Sequence, residues 1–450
     1  MKLLVFAHTP PPHHGQSLMI EAMVRGFGGD CRQRGKTPAD RARQEQPATE
    51  CGAESRTGTD AVPDAVGSRQ ARSGEAAPRG ASAGGPPHGI EVYHVNARFS
   101  ASLDDIGAAR GSKVFALLKY CAQAAWIRCR YGVRTMYYVP APAKRTPLIR
   151  DWIVMAWCRL WFPRLILHWH AVGLGAWQET GARPWERWLT QRLLGRADLG
   201  IVLSEFSRAD AEKLRPRRVA VVANGIPDPC PTCDYELLPW RRLRREVLAE
   251  ALGRPAPAGG EPRETARILY LAHCTRDKGL FDAVAAVARA NASLQRRGVD
   301  LRLELTVAGE FLSEAERDEF DRLRATHSAW LRYPGFVRGA AKEALFRNAD
   351  VFHFPTYYAN EGQPVSLIEA MAFALPIVTT RWRAIPEALP PGYPGLLEPR
   401  QPDSAAEALL RALTEDATPL REQFVQRFTL QTHLTTLARA IQSVEGGGGN

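Results

Sequence analysis

Glu361 and Glu369 stand eight residues apart in the run Glu361-Gly362-Gln363-Pro364-Val365-Ser366-Leu367-Ile368-Glu369. A carboxylate can accept two hydrogen bonds side by side, which suits a vicinal diol such as that of a ribose. Pro364 is at home in a first helical turn, so a helix opens at Pro364 or Val365. The first N–H groups of that helix, at Val365 and Ser366, lack intrahelical partners and carry the positive end of its dipole, a combination that attracts an anion. Gly362 lets the backbone pass close to a ligand. Glu369, just past the first turn, reaches hydroxyls beside such an anion, and Glu361 points across the loop. Taken alone, the stretch reads equally well as a buried helix with two surface glutamates.

Three further places could contribute. The run Leu271-Ala272-His273-Cys274-Thr275-Arg276-Asp277-Lys278-Gly279 follows a strand and opens a helix, and it carries three basic side chains: His273, Arg276 and Lys278. Gly15 precedes a helix in His14-Gly15-Gln16-Ser17, where Ser17 is a candidate N-cap. His168 and His170 end an apolar strand and share a face by the two-residue period, with His168 the more core-like of the two.

These residues need elements to hold them. Lys2–Ala7 predicts a first strand, followed by a helix near Ser17 through Val24. Short apolar runs then alternate with helical patterns: strands at 90–95, 135–139, 165–169, 199–203 and 219–222, and helices at 114–131, 148–162 and 185–194. A second block starts at Arg267, with strands at 268–271, 303–308, 331–333, 351–354 and 377–380. Alternation of this kind predicts an α/β fold with parallel sheets. Loops at the carboxyl ends of such strands line the binding crevice. The expected division is an N-terminal Rossmann-like domain (residues 1–28 and 90–225), a connector (226–266), a second Rossmann-like domain (267–419) and a helical tail (420–450). Residues 29–89, rich in Gly, Ala, Pro, Ser, Arg and Glu and poor in large apolar side chains, predict a disordered insertion.

The segment around Glu361 resembles the E-x7-E region of retaining GT-B glycosyltransferases of family 4, and it does so down to Ala374-Leu375-Pro376-Ile377-Val378. It departs at Phe373-Ala374, where the family usually has Gly. The resemblance implies two Rossmann-like domains facing a cleft. It implies that Glu369 binds ribose hydroxyls, that Glu361 contacts the donor sugar near the reacting centre, and that the backbone at Val365 and Ser366 approaches the diphosphate. Lys278-Gly279 matches the family's second-domain loop, where the lysine neutralises the leaving diphosphate. The family often has Arg where His273 stands, which leaves Arg276 as a candidate replacement. Gly15 matches a loop facing phosphate and acceptor, and His170 matches a histidine on the donor sugar's hydroxyls. Ser204-Glu205 and Asn224-Gly225-Ile226 resemble further family features, and the last helix is expected to cross back to the first domain.

The implied activity is retaining, metal-independent transfer of a sugar from a nucleoside-diphosphate sugar to a hydroxyl of a glycan or lipid-linked acceptor, in polysaccharide or glycolipid synthesis, with no cofactor. A nucleotide-sugar 2-epimerase, which shares the fold and the donor half, and a catalytically silent sugar-nucleotide binder are the alternatives.

Composition narrows the partners. The chain of 450 residues has 45% hydrophobic and 24% charged residues, ordinary for a globular protein. Its formal charge is +11, and residues 90–170 hold twelve Lys/Arg against four Asp/Glu. That excess suggests phosphorylated substrate or peripheral contact with an anionic membrane; no nucleic-acid recognition motif stands out. The aromatic helix at 148–162 is read first as core. Of eight cysteines only Cys230 and Cys233 form a C-x-x-C, and no second pair stands at zinc spacing, so no metal site is expected. The short apolar start at Met1–Ala7 reads as a strand rather than a signal peptide, and a cytoplasmic location, with the inner membrane face as a docking place, is the expectation.

Overall fold

Strands that are apolar on both faces must be covered on both faces, and here helices do this for two separate sheets. The computed structural model describes residues 1–10, 15–29, 87–97, 110–257 and 260–445. The first sheet contains β1 (Lys2–Ala7), β2 (Glu91–Asn96), β3 (Thr135–Tyr138), β4 (Arg164–Trp169), β5 (Leu199–Val202) and β6 (Val219–Val221). All are parallel, in the order β2-β1-β3-β4-β5-β6. Its helices are α1 (Gly15–Gly26), α2 (Arg110–Tyr131), α3 (Arg145–Trp161), α4 (Leu174–Thr180), α5 (Pro184–Leu193) and α6 (Arg208–Glu212).

The second sheet contains β7 (Glu264–Leu271), β8 (Leu301–Ala308), β9 (Leu331–Gly335), β10 (Val351–Phe354), β11 (Ile377–Thr380) and β12 (Leu396–Leu397). It is also parallel, in the order β12-β11-β10-β7-β8-β9. Around it lie α7 (Leu238–Gly253), α8 (Leu280–Arg296), α9 (Glu314–Thr326), α10 (Ala340–Asn348), α11 (Val365–Ala372), α12 (Ile385–Ala388), α13 (Pro402–Ala412) and α14 (Thr418–Arg427), and α15 (Leu430–Gln442) follows. The α/β, two-sheet architecture read from the sequence is the one observed, and it is the GT-B fold.

Alternation along the first sheet's strands sorts its core into two halves. Leu4, Phe6, Met136, Tyr138 and Leu167 meet Leu117 of α2 and Met155 of α3. Leu3, Val5, Tyr137 and Ile166 face the other way, towards Ile20 and Met23 of α1. Leu434, Leu437, Ala438 and Ile441 of α15 complete that second half. The end of the chain thus supplies cover for its first sheet.

Two differences from the sequence reading have local causes. The helical tail is divided, because the hydroxyl of Thr429 accepts the Thr432 N–H and starts a new helix after buried Phe428. Ser17 is not an N-cap: α1 begins at Gly15 and Ser17 is buried in its first turn. The insertion expected at 29–89 lies outside the described residues, apart from Gly29 and a short turn at Pro87–Gly89.

Two crossings between the domains run side by side. The N–H of Ile226 donates to the Phe428 carbonyl at 2.9 Å, and that of Leu430 to the Ile226 carbonyl at 2.8 Å. Cys230 and Cys233 are buried in the connector. Arg241 of α7 enters the second domain and donates to the carbonyls of Phe346, Ala349 and Phe373 at 2.8–3.0 Å.

Candidate functional site

β7 and β10 are neighbours in the second sheet, so the loops leaving their carboxyl ends lie side by side. The Tyr357 N–H donates to the Asp277 carbonyl at 2.8 Å and stitches the loops together. Gly279 sits at φ +83, and a Cβ there would overlap the carbonyl of Pro355. Only glycine allows this approach.

The result is a direct pairing of the two loops' charges. Lys278 Nζ lies 2.7 Å from Glu361 Oε2, with the Glu361 side chain 7% exposed. The Thr356 hydroxyl donates to the same oxygen at 3.1 Å. The ring of Tyr358 lies 4.5 Å from the ammonium and adds a cation–π contact. Two nearly buried charges are tolerable here because each answers the other.

Glu369 lies one turn into α11, 12% exposed. Burial raises its carboxyl above the ordinary range, and the ammonium of Lys342, ion-paired to it from α10, opposes that shift. Val365 and Ser366 open the helix half-buried, with Pro364 as the N-cap. The other end of α11 is fastened by Arg421, which donates to the Ala372 carbonyl at 3.0 Å and holds Asp228 at 2.7 Å.

The first domain meets this site through His170. A Cβ at Gly362 would come within 2.5 Å of the His170 carbonyl oxygen. The imidazole of His170 lies over that of His168, centroids 4.2 Å apart. His168 is buried, its Nδ1 2.5 Å from the Tyr137 hydroxyl. Burial, and then the neighbouring His170, hold its pKa far below the usual histidine range. Further along, the Asn224 N–H donates to Gln363 Oε1 at 2.7 Å. The Glu387 carboxylate accepts the N–H groups of Glu205 at 2.8 Å and Phe206 at 2.6 Å. The cleft is therefore closed by direct contacts between the two domains.

The structure brings Glu361, Gly362, Lys278 and His170 together and places Val365, Ser366 and Glu369 on the helix beside them. Gly15 opens α1, next to Gln16, which lines a recess with His8, Tyr138, Pro147 and Arg150. His273 lies at the rim, and its pKa is lowered first by desolvation and then by Lys278, so it stays neutral near pH 7. Arg276 does not join the group. Its guanidinium pairs with Glu319 at 2.5 Å and stacks on Phe281, 4.3 Å from the ring. The turn ending at Gly279 sends Arg276 towards Glu319 and Lys278 towards Glu361.

Sequence reading missed Lys342, Thr356, Tyr358 and Glu387. Lys342 had one usable signal: it opens a helix just after strand β9, on the binding edge of the sheet.

The two parallel sheets have the GT-B fold. Residues 265–415 match the family model described as glycosyl transferases group 1. The chain is 27% identical over 276 residues to the putative colanic acid biosynthesis glycosyltransferase WcaL of Salmonella typhimurium, covering 56% of this chain and 59% of that one. It is 30% identical over 95 residues to the O-antigen chain mannosyltransferase B of Escherichia coli, covering 21% and 24%. The matches thus span 59% of the first of these relatives and 24% of the second. Among solved structures, sucrose-phosphate synthase from Thermosynechococcus elongatus superposes with a TM-score of 0.62 at 14% identity over the whole of both chains. HepE of Anabaena in complex with UDP gives 0.59 at 15% identity, over 98% of this chain and 100% of that one. At these identities the structures speak for the fold.

Proposed function

We propose that this chain transfers a sugar from a nucleoside-diphosphate sugar to a hydroxyl of a glycan or lipid-linked acceptor, with retention at the anomeric carbon, in polysaccharide or glycolipid synthesis. The observation that carries this reading is the Lys278–Glu361 pair, set at adjacent strand ends beside the helix that bears Glu369. UDP and UDP-glucose complexes of HepE support the same donor class.

In the proposed reaction the acceptor oxygen bonds to the anomeric carbon from the side the diphosphate leaves. The bond from that carbon to the diphosphate oxygen breaks, and the acceptor's proton passes to that oxygen. Charge grows on the diphosphate, where Lys278 and the α11 N–H groups at Val365 and Ser366 meet it without a metal. Lys278 then exchanges part of its bond with Glu361 for one with phosphate. Glu361 and His170 hold the sugar's hydroxyls, and Glu369 the ribose. With His273 neutral and Arg276 turned away, Lys278 is the principal side-chain cation on the diphosphate. Contacts at Gly362 and Glu387 exclude water and favour transfer over hydrolysis.

The test is incubation with a panel of nucleoside-diphosphate sugars, with and without acceptor glycans and glycolipids. Acceptor-dependent release of nucleoside diphosphate with a retained linkage supports the reading. Epimerised donor formed without acceptor identifies an isomerase, and binding without turnover of any donor identifies a silent binder.

A further inference from the structure

The helix read from sequence as core is only half so. Trp152, Val154 and Met155 of α3 point inward, but Ile149, Ile153, Ala156, Trp157 and Leu160 form an exposed stripe with no charged member. Leu160 is 78% exposed. An exposed apolar stripe of this length marks an interaction surface, and this one has water on its outer side. Its neighbours extend the surface. Trp157 Nε1 donates to the Cys121 carbonyl of α2 at 2.9 Å, and Trp152 Nε1 to the Thr190 hydroxyl of α5 at 3.0 Å. From α2 come exposed Phe115 and Trp126, and from α5 Trp188.

The charge of this region has one sign. Residues 115–196 contain thirteen Lys/Arg and three Asp/Glu. Asp151 and Glu186 are buried, and Glu179 is paired with Lys213 at 2.6 Å. Lys119 and Arg130 of α2 and Arg187 and Arg192 of α5, on the same two helices as those aromatic side chains, are exposed. Tryptophan beside arginine and lysine around an apolar patch suits the headgroup zone of a bilayer, where long basic side chains reach phosphate while apolar ones sink below it. A second copy of the chain would bring the same excess of cations against this one. Among the described residues no helix is long and apolar enough to span a membrane, so any contact through this face lies along the surface.

We propose that the outer face of α2, α3 and α5 seats the protein on an anionic lipid surface. The contact also orients the molecule. Pro147 and Arg150, at the start of α3, line the recess that opens beside Gln16 and Tyr138, so this recess is held next to the lipid headgroups. The proposal goes beyond the transfer reading and is tested without turnover.

The full chain is sedimented with vesicles of phosphatidylcholine alone or mixed with phosphatidylglycerol, at low and high salt. Binding to the anionic vesicles, weakened by salt, is expected. The double variant Ile153→Glu/Leu160→Glu should bind them at least about tenfold more weakly, since two apolar side chains are lost from the interface and two like charges face the lipid. Val425→Glu, an exposed apolar position on α14, should bind as the parent does. Thermal shift with UDP checks that the variants keep their second domain. Failure of the parent to bind anionic vesicles at low salt overturns the proposal, as does parental binding by the double variant. A dimer in sedimentation velocity that the double variant dissolves would assign the face to a second copy instead.

Discussion

Lys342 and Glu369, on neighbouring helices of the second domain, are joined ammonium to carboxylate. Burial pushes the Glu369 carboxyl up, and the Lys342 ammonium opposes that shift. Removing the cation leaves burial unopposed and raises that pKa further. Lys342→Met should therefore weaken UDP binding more at pH 6 than at pH 8, because the hydroxyl-accepting carboxylate returns as pH rises through the raised pKa. Glu369→Gln should weaken UDP binding by about tenfold or more and remove this pH dependence, since loss of a charged hydrogen bond costs about 1.5–3 kcal/mol. Calorimetric titration at both pH values checks both statements.

Lys278 and Glu361 should separate binding from turnover. Glu361→Gln keeps the shape and a hydrogen-bond acceptor for Thr356 but leaves the Lys278 ammonium unbalanced. It should lower kcat far more than it changes the KM for donor. Lys278→Met should lower kcat by at least about a hundredfold, the scale seen when a group that meets developing charge is removed. Loss of UDP affinity with an unchanged kcat would place Lys278 in ground-state binding alone.

Gly362→Ala tests the closed cleft. Its Cβ would press on the His170 carbonyl of the other domain, while neither sheet loses a contact. Each domain should keep its fold, and the cleft should be wedged open. Small-angle scattering should show a larger radius of gyration than the parent, and turnover should fall. An unchanged radius with full turnover would show that the two domains need not touch there.

Ala374 sits at φ +47, at the end of α11, where an L side chain is strained. Family 4 enzymes usually have glycine in this stretch. Ala374→Gly should stabilise the second domain by roughly 1 kcal/mol, because relief of the left-handed strain outweighs the flexibility glycine gives the unfolded chain. Chemical denaturation measures it, and a lower midpoint would refute it.

The legibility of this protein in its sequence follows the range of the forces involved. Buried parallel strands such as Phe352–Phe354 and Ile377–Thr380 announce themselves locally, as runs of apolar residues between helical patterns. The Glu361–Glu369 stretch was legible for the same reason: helix start, glycine and carboxylates are all within nine residues. Lys278 meeting Glu361 was readable only as two separate loops, because their encounter depends on β7 and β10 being neighbours. The outward course of Arg276 follows from one turn's geometry, which residue type does not encode. Lys342 and Glu387 act on residues 27 and about 180 positions away, so nothing near them in sequence marks their task. The bare stripe on α3 was misjudged because an apolar helix carries the same pattern whether its outer side meets protein, lipid or water.

The return of α15 to the first sheet has a consequence for biosynthesis. As the chain leaves the ribosome, β1 to β6 are made first, yet the Leu3–Val5–Ile166 half of their core keeps an open side until Leu434 to Ile441 emerge. The second domain, whose core is nearly all its own, is complete before the first one is. Nascent chains halted short of residue 430 would carry a finished second domain tethered to an unfinished first one, with apolar surface open to chaperones.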